Sequence, residues 1–257
     1  MMSSLRSLCF LAWLTVRRQI FSWKTVMILV FMACISILVA ASGLVRPWKA
    51  DLLERWVALE LIEGFFVPVA ALAFGTAALG EDRDEKSLIH LLVRPMPRTG
   101  IYLAKYCAAL PAAAGFSLTV LWLQGMLAGL RMEPGGTPQI GAFWPGILLA
   151  SAAYVALFQL ISAAFRHATA IAVAYAFFIE VFVGHMPGIL KRLSIRFYAN
   201  CMAIDAAGAG DLGLNRRDLR TMLPIEGVTA AWILAGLALV LLAAGAWLFA
   251  QKEYREL

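Results

Sequence analysis

Apolar and polar positions fall into long oily runs separated by short charged stretches. Six runs are apolar enough to cross a bilayer: residues 25–45, 57–79, 101–130, 143–165, 168–184 and 228–250. At a rise of ~1.5 Å per residue, a hydrocarbon core of ~30 Å takes ~20 residues. The third run exceeds that length, and Pro111 inside it offers a place to kink. The fifth is short and is expected to borrow from the segment after it. The pattern predicts an all-α integral membrane protein with six transmembrane helices in a single domain covering residues 1–257.

Three segments between or before these runs carry amphipathic patterns. In residues 4–20, Leu5, Cys9, Ala12, Val16 and Ile20 form one stripe with Arg6 and Arg17 opposite, which predicts an interfacial helix. Between the second and third runs, Glu81, Asp82, Asp84 and Glu85 suit a helix N-terminus, and Leu88, Leu91 and Leu92 recur at the spacing of one helical face. That helix must end near Val93 or Arg94, because Pro95 disfavours helical geometry in the residue before it and Pro97 repeats the interruption. Thr99 then caps the next helix. After the fifth run, Pro187-Gly188 breaks the chain. Ile189, Leu190, Leu193 and Phe197 follow as an apolar stripe with Lys191, Arg192 and Arg196 opposite, which predicts short outer helices lying on the membrane. Gly208, Gly210 and Gly213 mark a turn region beyond them.

Composition agrees with the runs. Hydrophobic residues make up 62% of the chain and charged residues 15%, with a mean hydropathy of +0.80, whereas soluble domains carry about a quarter charged residues. The net charge of +6 sits in loops and span ends rather than on one face with aromatics, so it suits anionic lipid and not nucleic acid. With both ends cytoplasmic, the inner segments hold 12 basic residues against 4 outside, once the loop of residues 185–227 with its 6 is set aside. This orientation places Arg98 inside and Lys191 outside. Arg17-Arg18-Gln19-Ile20-Phe21 before an apolar run loosely imitates a twin-arginine signal, but the run is long enough to remain as a span.

The sequence offers little catalytic chemistry. Cys9, Cys34, Cys107 and Cys201 are far apart and form no CxxC, and His90, His167 and His185 lie in different segments, so neither a disulfide framework nor a metal site is expected. GxxxxGK[ST], HExxH and GxSxG are all absent, which leaves no catalytic residue to name and no cradle for nucleotide phosphates. Glu60, Glu63 and Glu180 stand inside or at the edge of spans. A charge deep in a bilayer costs at least ~2.5 kcal/mol, so each should face a cavity or a partner. They are candidates for a transport path; the plainer reading sends Glu60 and Glu63 towards Arg55 or interfacial water.

The elbow of residues 81–105 resembles the permease subunits of type-2 ABC exporters. Those permeases carry an acidic-Arg pair, a short helix centred on Gly-Thr-Leu, a Pro, an Arg and a Lys that opens the third span. Asp82-Arg83 matches the pair, Ser87-Leu88 the Thr-Leu, and Pro95, Arg98 and Lys105 the remaining places, while Lys86 stands where the family has Gly. The resemblance implies a cytoplasmic coupling helix that seats in a separate ABC ATPase, with Asp82, Arg83, Asp84, Leu88, Leu91, Leu92, Pro95 and Arg98 at the contact. It also implies a homodimer or heterodimer of permeases in a bacterial inner (plasma) membrane, both termini cytoplasmic. ATP and Mg would be held by the partner, with no cofactor in this chain. The alternative is a non-transporting scaffold or force-transmitting component of an assembly machine driven by an ABC ATPase.

Overall fold

Inside a bilayer the backbone must satisfy its own hydrogen bonds, and a helix does so within one segment. The computed structural model describes residues 2–20, 23–45, 54–84, 97–129, 140–186, 189–208 and 225–251, and every regular element among them is helical. Helix α1 is Met2–Ile20 and α2 is Trp23–Val45. Helix α3 begins with wide π-helical turns over Glu54–Phe66 and continues as α-helix through Val67–Asp84. Helix α4, Arg98–Gly129, runs through Pro111, and a short turn at Ile140–Ala142 leads to α5, Trp144–Ala164. Helix α6 starts at Ala168–Tyr175, widens to π-helix over Ala176–Phe182 and closes in a tight turn at Val183–His185. A single turn at Leu190–Leu193 precedes α7, Ile195–Ala207, and the last helix, α8, is Gly227–Gln251.

Four of the expected spans correspond to helices long and apolar enough to cross a membrane: Leu59–Gly80, Arg98–Met126, Trp144–Ala164 and Gly227–Gln251. Among the described residues, the first and fifth runs hold the shorter apolar helices Thr25–Ile35 and Ala168–Phe182. The fifth does not borrow as expected. Its winding stops at His185, and the chain beyond it folds separately into the Leu190–Leu193 turn and α7.

Helix α5 is the centre of the bundle, packed against α3, α4, α7 and α8. Lipid is as apolar as leucine, so helices associate by close packing rather than by escape from water. Gly146, Ala150, Ser151, Ala153 and Ala156 of α5 are all buried and let its neighbours approach. Phe66, Phe74, Phe116, Tyr154 and Phe158 fill the space between. Side chains also bond across helices to backbone carbonyls: Gln159 Nε2 donates to Tyr102 O at 2.9 Å, Tyr106 Oη to Ala152 O at 3.1 Å, and Ser162 Oγ to Thr76 O at 3.2 Å. The outer faces stay greasy, as with Trp232, Leu239, Val240 and Trp247 of α8.

The two ends of the bundle differ. At one end a cluster of Leu79, Ile101, Tyr102, Ala163 and Phe249 joins the end of α3, the start of α4 and the ends of α5 and α8. Leu11 of α1 packs on this cluster, and Gln19 Nε2 donates to Phe74 O at 3.2 Å. Helix α1 therefore turns Leu11, Thr15 and Gln19 towards the protein and leaves Phe10, Trp13 and Leu14 exposed. Ala12 and Val16 of the predicted stripe are half-buried beside them, as Leu11 is. The opposite end of the bundle is occupied by α7.

Candidate functional site

Of the elbow residues, Leu88, Leu91, Leu92 and Pro95 lie outside the described residues. Asp82, Arg83 and Asp84 form the last turn of α3. Arg98 opens α4, exposed, with its guanidinium Nη1 donating to Ala250 O at 3.4 Å, so the start of α4 is tied to the end of α8.

The acidic residues converge at the other end. Glu180 is 1% exposed in the π-helical part of α6, and its carboxylate is placed over the N-terminus of α7. Ser194 Oγ donates to Oε2 at 2.5 Å, Ile195 N–H to Oε1 at 3.1 Å, Arg196 N–H to Oε2 at 3.3 Å, and Tyr175 Oη to Oε1 at 3.4 Å. The first N–H groups of a helix have no partner within it, and they carry the positive end of its dipole. A carboxylate from a neighbouring helix answers both needs, which accounts for a buried charge at this position.

Glu60 pairs with a residue that the sequence assigned to a membrane-surface face. Arg196 is 6% exposed and forms an ion pair with Glu60, whose side chain is 38% exposed. The same Nη2 lies 3.4 Å from Leu59 O. The guanidinium rests against Gly64: a Cβ there would fall 2.6–2.8 Å from Cζ, Nε and Nη1. Glu63, 2% exposed, points between α5 and α7, where a Cβ on Gly146 would be 3.1 Å from its Oε1 and 3.2 Å from Ala199 O. Neither oxygen of Glu63 is hydrogen-bonded. Glu60 thus turns to Arg196, and the i,i+3 pair splits because π-helical turns spread such positions further apart than α-helical ones do.

The segment of residues 189–208 departs from its predicted form in the same way. Ile189, Leu190 and Leu193 are exposed, whereas Lys191 and Arg196 are buried. Lys191 Nζ sits 5.7 Å from the centre of the Phe197 ring, and burial pushes its ammonium below the usual lysine range. Ser194 breaks the helix, so residues 189–197 are a turn and a helix start with different faces. Gly208, at φ 84°, ends α7 in a backbone conformation that glycine adopts without strain. Asp205 then accepts from Gly227 N–H at 3.2 Å, capping α8 as Glu180 caps α7.

Helix α7 is thereby pinned to three helices: to α3 by Arg196, to α6 by Glu180 and to α8 by Asp205. Arg196, Ser194, Gly64 and Asp205 were not singled out in the sequence as members of a site. No group of three or more His, Cys, Asp or Glu suited to a metal occurs among the described residues. A cavity of about 530 Å³ lies between α4 and the start of α5, lined by apolar groups including Leu118, Trp122, Met126 and Trp144, and shares no residue with this centre. Because the guanidinium is the movable end of a flexible side chain, Gly64→Ala is expected to displace it at a cost of about 1 kcal/mol. Thermal unfolding of Gly64→Ala and of Gly64→Ala/Glu60→Gln checks this: once alanine has broken the pair, the second change should add little.

A bundle of long apolar helices with charges confined to its ends defines a multi-pass helical membrane protein. Residues 13–184 match the family described as ABC-2 family transporter protein, and the chain belongs to that family. No curated protein matches the chain. Members of this family are membrane components that work beside an ATPase subunit.

Proposed function

We propose that the chain is the permease subunit of an ATP-driven exporter, forming half of a translocation path and drawing its drive from a separate ATPase. The observation that carries this reading is the family match over residues 13–184. The order of acidic-Arg pair, Ser-Leu, Pro, Arg and Lys between the second and third runs supports it. In this reading the chain crosses a bacterial plasma membrane six times with both termini cytoplasmic, and two permeases, identical or different, assemble with two ATPases that hold ATP and Mg. The helix over residues 84–93 couples the two, and α7 lies at the outer end. Glu60, half-exposed beside Arg196, faces the path between permeases, since a charge in a span needs water or a partner. Glu63 and Glu180 brace the wall behind it.

Two measurements test this reading. In intact cells, an impermeant thiol reagent is expected to label Arg192→Cys, which is exposed, and to spare Arg98→Cys; Lys191 is unsuitable because it is buried. In vesicles containing the permease and its ATPase, ATP should drive net movement of a cargo. Labelling of position 98 from outside overturns the topology. ATP hydrolysis stimulated by the permease without movement of any cargo favours the scaffold.

A further inference from the structure

Arg196 has more than one carboxylate within reach. It bonds to Glu60 and lies against Gly64, the residue after Glu63, while Glu63 Oε1 and the carbonyl of Ala199, three residues on from Arg196, border the same spot on Gly146. Glu63 meanwhile has both oxygens buried without a hydrogen bond. Such a group is a standing cost in a protein interior, and an apolar residue of similar size would avoid it. Gly146 leaves the space that Glu63 occupies, at the expense of a side chain that could have packed there.

We propose that Glu60 and Glu63 are alternative seats for Arg196, which sits on Glu60 in this structure and transfers to Glu63 during the export cycle, making the contact between α7 and α3 a two-position latch. The two seats are unequal in a way that permits exchange. Glu60 is 38% exposed, so it can be solvated when Arg196 leaves, and no bare charge is left buried. Glu63 gains the partner it lacks. The remaining ties of α7 need not break: Glu180 holds its start to α6 and Asp205 holds its end region to α8. Helices α6, α7 and α8 would then shift together against α3, a sliding of packed helices between two discrete arrangements. A single acidic partner would anchor Arg196 but would give it nowhere to go.

The latch rests on the exporter reading, and its test separates the two. The permease, with its native cysteines replaced, carries spin labels at Phe65→Cys on α3 and Ala206→Cys on α7, both exposed positions. The distance between them is read in the complex with the ATPase, with and without trapped ATP. The parent is expected to show an ATP-dependent second distance. Glu63→Gln should lose it, and Glu60→Gln should populate it without nucleotide. Co-purification with the ATPase reports assembly. Should Glu63→Gln fail that check, Glu63→Asp replaces it, with a reduced ATP-shifted fraction expected and the full fraction counting against the latch. A second distance that persists in Glu63→Gln overturns the latch and leaves the exporter reading standing. No ATP-dependent change in the parent overturns the latch, while the exporter reading is decided separately by cargo movement in the vesicle assay.

Discussion

Alanine at both Leu88 and Leu92 is expected to weaken recovery of the ATPase with the permease roughly tenfold or more, and to abolish permease-stimulated hydrolysis, while the spans still insert. Both residues belong to the apolar face of the predicted coupling helix, flanked by Asp82, Arg83, Asp84 and Arg98. An apolar helical face on a cytoplasmic elbow avoids water by lying on lipid or by entering a protein groove, and a groove reads the i, i+3, i+4 spacing. Truncating a central anchor of an interface commonly costs over ~1 kcal/mol, and ~1.4 kcal/mol is already tenfold in affinity. Lys86→Gly is the milder comparison. It lowers helix propensity by up to about 1 kcal/mol without touching the Leu face, so it should reduce coupling less. If the double alanine variant keeps both ATPase binding and stimulated hydrolysis, the elbow does not couple the subunits.

How legible the fold was depended on the range of the interaction. Apolar runs report helices because each helix closes its own hydrogen bonds, so residues 57–79, 101–130, 143–165 and 228–250 found long helices. The identity of the acidic residues was legible too: Glu60, Glu63 and Glu180 stood out because charge is expensive in a span. Their partners were not. Arg196 follows Lys191 and Arg192 between two apolar runs, where a basic stripe opposite Ile189, Leu190 and Leu193 has the local form of a surface helix. Its burial depends on Glu60, 136 positions earlier, and on the bare surface at Gly64. Helical periodicity is blind to such pairing, and it assumed one winding where Glu54–Phe66 and Ala176–Phe182 take another. Glu180 gave no local sign that it would cap a helix that begins 15 residues later.

That cap gives the second large effect. Glu180→Ala is expected to lower the stability of the permease by about 3 kcal/mol, because the Ser194 hydroxyl and the N–H groups of Ile195 and Arg196 each lose an acceptor in a buried place. A buried donor left without a partner costs ~1–3 kcal/mol, and the carboxylate is the stronger kind of acceptor. The loss should spread, since the same turn positions Arg196 against Glu60 and Gly64. Glu180→Gln keeps one acceptor oxygen but turns an NH2 towards donors, so it should fall between parent and alanine. Glu180→Asp, a methylene shorter, should recover only the bonds it can still reach. Thermal unfolding of the purified permease measures the series, and labelling of Arg192→Cys in intact cells reads whether the segment that leads into α7 has come loose. If Glu180→Ala unfolds with the parent and labels at the same rate, the carboxylate does not hold α7 in place.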